Sequence, residues 1–341
     1  MNIGKIITFC GVALLCLLFL LGAQAHVPIT TGDNEALDTA TYISDPLKSW
    51  AIYSELRDGG VANYFKFDMK QGQRLRLSLF TPLESSFTPG LVIMGPGIEP
   101  QGTVPSYVTV PEGLAARVVA GERPETASYE PFTPSILYEH ADVNTNVTAP
   151  CTYYVAVYEP YEGGRYGLAV GYREQFELLE WIRVPLDVIT VHQWEGQSMG
   201  FILAPMLGIV VIGFILLFWV RTKGVPVLQS LMSWLGSLAS FLYIGSGATI
   251  LTQMGLALTV APMTSAVIVT VIFALLPLIA GIILLKVVLK AQAEVTVKTR
   301  IEMVILSIVG LFIWAGLIIG PVLAIVASLL PPFTKKNSAL E

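Results

Sequence analysis

Charge is missing from long stretches of this chain. Residues 224–285, 62 in all, include no Asp, Glu, Lys, Arg or His, and residues 303–334 add 32 more. Charged residues make up 13% of the 341 and hydrophobic ones 54%, whereas soluble domains carry about 25% charge. That deficit, being concentrated, excludes an ordinary soluble protein and implies an integral membrane one. Histidine is scarce, with only His26, His140 and His192. A Ser-His-Asp hydrolase could therefore be built only on His140 or His192, and no motif supports it. No glycine-rich nucleotide loop, HExxH, CxxC or GxSxG occurs. The apolar runs have no ionisable residue in their interiors, which argues against a coupled pump or carrier but not against a passive pore.

The charges that exist are segregated. Residues 26–198 hold 22 acidic and 11 basic side chains, and the remainder hold 3 and 9. An acidic domain beside basic loops argues against nucleic acid as a partner, because duplexes are bound through Lys and Arg.

At the start, Lys5 precedes an apolar run over 6–22, followed by Ala23, Gln24 and Ala25. This is the pattern of a secretory signal peptide over 1–25, with an uncleaved anchor as the alternative. Removal would take Cys10 and Cys16 and leave Cys151 alone, so no intrachain disulfide is expected and the thiol is expected to be buried.

Residues 26–198 read as one extracytoplasmic domain. A short helix capped by Asp33 is expected over 33–43. Strands follow at 50–56, 61–69 and 74–80, with turns at Gly59-Gly60 and Gly72. Leu75, Leu77 and Leu79 alternate with Arg74, Arg76 and Ser78, the period-two pattern of a sheet with one wet face. The Pro- and Gly-rich middle suggests short strands near 91–94, 106–110 and 115–119. A second clear pair covers 151–158 and 165–172, where Tyr153, Val155 and Val157, then Tyr166, Leu168 and Val170, share faces. Many short strands point to a β-sandwich.

The segment GGVANYFKFDMKQGQRLRLSLFTP resembles the opening of a bacterial pre-peptidase C-terminal (PPC) domain, through Tyr64, Phe65, Phe67, Gly72, Gln73 and the three alternating leucines. The closing pair is similar through Tyr153, Tyr154, Val155 and Val157, then Gly164, Tyr166, Leu168 and Val170. The resemblance implies a jelly-roll-like sandwich and carries no chemistry, since the matching residues are core and turn positions. The layout as a whole resembles a group of archaeal and bacterial multi-span membrane proteins of unassigned activity.

Four transmembrane helices are expected over 199–330, near 199–220, 227–251, 264–289 and 303–330, with a short tail at 331–341. Arg221, Lys223, Lys286, Lys290, Lys298 and Arg300 make two loops basic, which places those loops in the cytoplasm and the first domain outside. Small residues crowd the second span, and Gly316 and Gly320 stand at GxxxG spacing; they serve packing within the chain or a homo-oligomer. Pro277 and Pro321 should kink their spans.

The reading is an exported all-β sandwich followed by a four-helix membrane bundle, acting as a non-enzymatic recognition or assembly module. Its expected partners are membrane lipid and a protein or glycan at the cell surface. The alternative is a copper protein. His26 would become the first residue after the signal, and an N-terminal amine with its own imidazole can chelate Cu(II). Here the chain is similar to exported copper proteins whose mature form begins with His. His140 and His192 are the other candidate ligands, and an exported hydrolase is the third reading. Asn146 heads a glycosylation sequon expected on a surface loop.

Overall fold

The computed structural model describes Gly4, Gly11 and residues 26–82, 86–291 and 295–330. The expected signal segment and the tail at 331–341 lie outside the described residues. Among the described residues from 26 onward there are eleven strands in two sheets, then six helices.

The strands are β1 (Val27–Thr30), β2 (Thr41–Tyr42), β3 (Trp50–Leu56), β4 (Val61–Met69), β5 (Arg74–Thr81) and β6 (Gly90–Gly95). They continue with β7 (Ala115–Val119), β8 (Ser128–Glu130), β9 (Ser135–Asn146), β10 (Cys151–Glu159) and β11 (Gly164–Val170). One sheet has the order β1-β3-β11-β5-β9-β8 and the other β2-β4-β10-β6-β7. The β1–β3 and β2–β4 pairs are parallel. Both sheets feed one apolar core. Leu75, Leu77 and Leu79 of β5 and Tyr166, Leu168 and Val170 of β11 meet Phe65 and Phe67 of β4 and Val155 and Val157 of β10. All ten are fully buried, as the alternation of each strand requires.

The long middle covers the far face of the five-stranded sheet. Val108 packs with Tyr64, Val92, Ala156 and Tyr158, and the Thr109 amide donates to the Tyr64 hydroxyl. The strand expected at 106–110 is therefore a turn lying flat on the sheet. The helix expected at 33–43 is also absent. Asn34 exchanges hydrogen bonds with the Tyr64 backbone, and Thr39 bonds Ala36 at both its N–H and its carbonyl, so side-chain bonds of the turn type displace a helix. Cys151, expected to be buried, is exposed.

The β-rich part ends earlier than expected, because residues 178–194 are helical. Helix α1 (Leu178–Trp194) precedes α2 (Met199–Thr222), α3 (Leu231–Ala257), α4 (Val267–Ala291), α5 (Val297–Phe312) and α6 (Ile319–Leu329). Three of them, α2, α3 and α4, are long and apolar enough to cross a membrane. The stretch expected as a fourth continuous span is instead two helices. Residues 313–318 form a turn in which Trp314, Gly316 and Leu317 have φ of 57°, 66° and 58°. The turn is anchored by the Gly316 amide on the Ser246 hydroxyl and the Ala315 amide on the Gly310 carbonyl. Pro321 sits in the first turn of α6, where no N–H is needed; the break comes before it.

The small residues are used within the chain. A Cβ on Gly236 would strike Val288, and one on Gly247 the Ala274 carbonyl. Gly310, Gly316 and Gly320 surround the Tyr243 ring. Helix α5 begins at Val297, so Glu302 lies inside it, 5% exposed, and its Oε1 has no hydrogen-bond partner among the described residues.

Candidate functional site

Helix α1 lies across the outward face of the six-stranded sheet, the face expected to be wet. It is fixed at both ends. Near its start, Lys48 Nζ donates to both carboxylate oxygens of Glu180 at 2.6 and 2.8 Å. At its finish, Trp194 Nε1 donates to the Ser54 carbonyl at 3.0 Å, and the Trp194 ring packs edge-on to Tyr53 at 4.9 Å. Between the clamps is a cleft of about 230 Å³.

The strand register explains the space. Ala169 of β11 is paired with Ala51 on one side and Ser78 on the other, so three small side chains lie in a row and leave the floor low. In the next row Gly167 stands between Tyr53 and Phe80. The Phe80 ring occupies the room Gly167 leaves; a Cβ there would lie 2.1 Å from it. On the helix side, Trp181, Val184, Val188 and Val191 line the roof at the spacing of one helical face. The hairpin of β8 and β9 supplies Glu130, Phe132 and Glu139 as one wall, and Tyr172, Glu174 and Phe176 supply another.

The cleft is acidic. Glu130, Glu139, Glu174 and Asp187 line it against one guanidinium, Arg76, and Arg76 is already paired with Asp142. Desolvation, with Glu139 and Glu195 nearby, pushes the Glu130 carboxyl up to about 7, although the Phe132 amide donates to it. Desolvation also raises Glu174 and Asp187, with Arg183 opposing it at Asp187. His26 lines the same cleft, and burial lowers its imidazole to about 4.

A second, apolar slot of about 80 Å³ lies on the other side of α1. It is walled by Ile202, Leu203 and Met206 from the first turns of α2, and by Thr249, Ile250 and Gln253 from the last turns of α3. Gln197 and Gln253 exchange reciprocal amide hydrogen bonds at 3.0 and 2.7 Å, tying those two helix ends together. Phe132, Val184, Val188 and Trp314 line both cavities.

The three histidines are in separate settings. His26 Nδ1 is 2.5 Å from the Ser49 hydroxyl. His140 is the extra residue of a β-bulge, since Leu79 pairs Ala141 and Phe80 pairs Glu139. Its Nδ1 donates to the Glu122 carbonyl, and Thr81 bonds its Nε2 at 3.0 Å. His192 Nδ1 meets Glu195 Oε2 at 2.7 Å while its ring lines the apolar slot. Among the described residues no group of three or more His, Cys, Asp or Glu is placed to hold a metal ion. Ligation through His26 Nδ1 would require Ser49 to give way, and no carboxylate among the described residues hydrogen-bonds that ring, so Ser49 and His26 form no triad. Asn146 is exposed at the end of β9.

Sequence reasoning missed the residues that make the cleft. Helix α1 had a legible signal, Glu177 and Glu180 at cap spacing before Trp181, Val184, Val188 and Val191. No family model matches the chain, and no curated protein matches it.

Proposed function

We propose that this chain is a membrane-anchored recognition module that binds a small ligand in the cleft under α1. In this reading the two sheets pack as a sandwich on the extracytoplasmic side, α5 and α6 together form an interrupted fourth crossing, and the cleft is held at the membrane surface. The observation that supports it is a cleft of about 230 Å³ with a low floor, aromatic sides and an excess of carboxylates, the kind of concave site in which a few polar groups converge among rings.

The test uses the full chain in a neutral detergent, with tryptophan emission as the readout, because Trp181 and Trp314 line the cleft. Choline, glycerol phosphate and glucose sample a cation, an anion and a neutral compound. At least one should give a saturable change, and Ala169→Leu, which raises the floor, should abolish it. Silence toward all three would overturn the reading. The orientation is tested at Cys151, which is exposed. An impermeant maleimide should label it in intact cells, and Cys151→Ser should remove that label; labelling only after lysis would put the β-rich part inside.

A further inference from the structure

We infer that the ligand of this cleft is an amine-bearing amphiphile, its ammonium head among Glu130, Glu139 and the aromatic rings, its alkyl chain in the apolar slot. This deepens the recognition reading and rests on it.

Three observations carry it. The first is charge. A buried anion next to four carboxyl groups would be repelled, and the one lining guanidinium is engaged by Asp142. A cation instead neutralises a site that is costly to leave ionised and empty. The second is the rings. Phe132, Phe176 and Trp181 line the same space, and an ammonium group over an aromatic face gains cation–π attraction that grows as water is excluded.

The third is adjacency. Phe132, Val184, Val188 and Trp314 line both spaces, so the slot adjoins the cleft across these side chains. Its polar side chains are mostly occupied. Ser246 donates to the Tyr243 carbonyl and accepts from Gly316, Gln253 pairs with Gln197, and His192 with Glu195. Thr249 lines the slot too, and its buried hydroxyl has no hydrogen-bond partner among the described residues. The slot thus offers apolar walls and one open polar atom to a chain, at the ends of α2 and α3 nearest the β-rich part. Leu203, in its wall, is one helical turn from Leu207, which is 51% exposed on the outer face of α2, so a longer chain can leave toward the lipid.

The experiment is calorimetric titration of the full chain in dodecyl maltoside, which carries no amine. Four soluble probes separate head from tail: hexyltrimethylammonium, tetramethylammonium, hexanoate and hexanol. Hexyltrimethylammonium should bind about tenfold or more tighter than tetramethylammonium, since each buried methylene adds to affinity. Hexanoate and hexanol should not displace it. Glu130→Gln should weaken both cations. Ile250→Phe, which fills the slot without touching the cleft, should remove the advantage of the hexyl chain and leave tetramethylammonium binding unchanged; that retained binding reports a folded variant. Equal affinity for hexanoate, or equal affinity for the two cations, would overturn the inference. Binding of glucose or glycerol phosphate that Ala169→Leu abolishes would do the same while leaving the recognition reading intact.

Discussion

Trp314 donates its indole N–H to the carbonyl of Trp181 over 2.9 Å, and that carbonyl is the acceptor which Pro185, four residues on, leaves open. Proline has no N–H to complete the helical bond to residue i−4. Trp181 returns the contact, since its own indole donates to the Phe312 carbonyl at 3.0 Å, one of the free carbonyls at the end of α5. The rings meet at 4.6 Å, and Trp314 stacks on Phe273 of α4 at 4.8 Å and 7°. The turn between α5 and α6 is thereby joined to the helix that roofs the cleft. It also gives a physical reason for Trp314 to be held at positive φ, a conformation that costs energy outside glycine.

Trp314→Phe should keep the stacking and lose the hydrogen bond, leaving a part-buried carbonyl open at a cost of about 1–3 kcal/mol. Pro185→Ala in the same background should recover part of the loss, because an alanine at that position supplies the missing N–H to the Trp181 carbonyl. Stability of the full chain in detergent, followed by chemical unfolding, reads both. Equal stability of the single and double variants would show that the Trp181 carbonyl is not what Trp314 serves.

What could be read in advance divides along clear physical lines. β5 was legible because Leu75, Leu77 and Leu79 point into one core and their neighbours do not. β9 was not, because its bulge at His140 puts two successive residues, His140 and Ala141, on the buried side and breaks the alternation. Helix α1 was hidden by Pro185, which reads as a helix breaker until Trp314 is seen to compensate. The α5–α6 turn had one local cue, Gly316; the left-handed Trp314 is held by its bond to Trp181 and its stacking on Phe273, contacts distant in sequence. The cleft floor was invisible in principle. Ala51, Ser78 and Ala169 are ordinary residues singly, and only the register of three strands distant in sequence sets them side by side.

The core and the cleft face should respond differently to truncation. Leu77 is fully buried, so Leu77→Ala should cost about 2–5 kcal/mol through lost burial and a residual cavity. Arg76, on the opposite face, pairs with Asp142 while both remain about a third to a half exposed. Arg76→Ala should therefore cost less than about 1 kcal/mol. Equal losses would mean that the face assignment of β5 is wrong.

Gly167 provides a test of the cleft's aromatic end. Its Cβ position is filled by the Phe80 ring, which is itself held against Tyr53 and Trp194 at 6.3 and 6.2 Å. Gly167→Ala should overpack this cluster and cost about 1–3 kcal/mol. Phe80→Leu in the same chain should relieve the clash, so the double variant should be more stable than Gly167→Ala alone. A neutral Gly167→Ala would show that the ring can swing aside and that the end of the cleft is not rigid.

The cleft should also show two opposed pH dependences. Glu130 is raised from 4.5 to about 7. Between those values the unfolded chain has released the proton that the folded one keeps, so stability falls as pH rises through that window. His26 is lowered from 6.5 to about 4. There the unfolded chain takes up a proton that the folded one refuses, so stability falls as pH drops from 6.5 toward 4. The windows overlap, and the two slopes oppose each other in the wild-type chain. The charged groups acting on Glu130 are Glu139 on β9 and Glu195 just beyond α1, with Arg76, Glu174 and Asp187 also lining the cleft, and none of them is changed by either substitution. Glu130→Gln should expose the histidine slope, giving a protein that weakens toward acid pH. His26→Gln should expose the carboxyl slope, giving one that weakens as pH rises from about 4.5 to 7. Unfolding midpoints of the two variants across this range should therefore tilt in opposite directions. Parallel curves would show that these two groups are not desolvated in a common cleft.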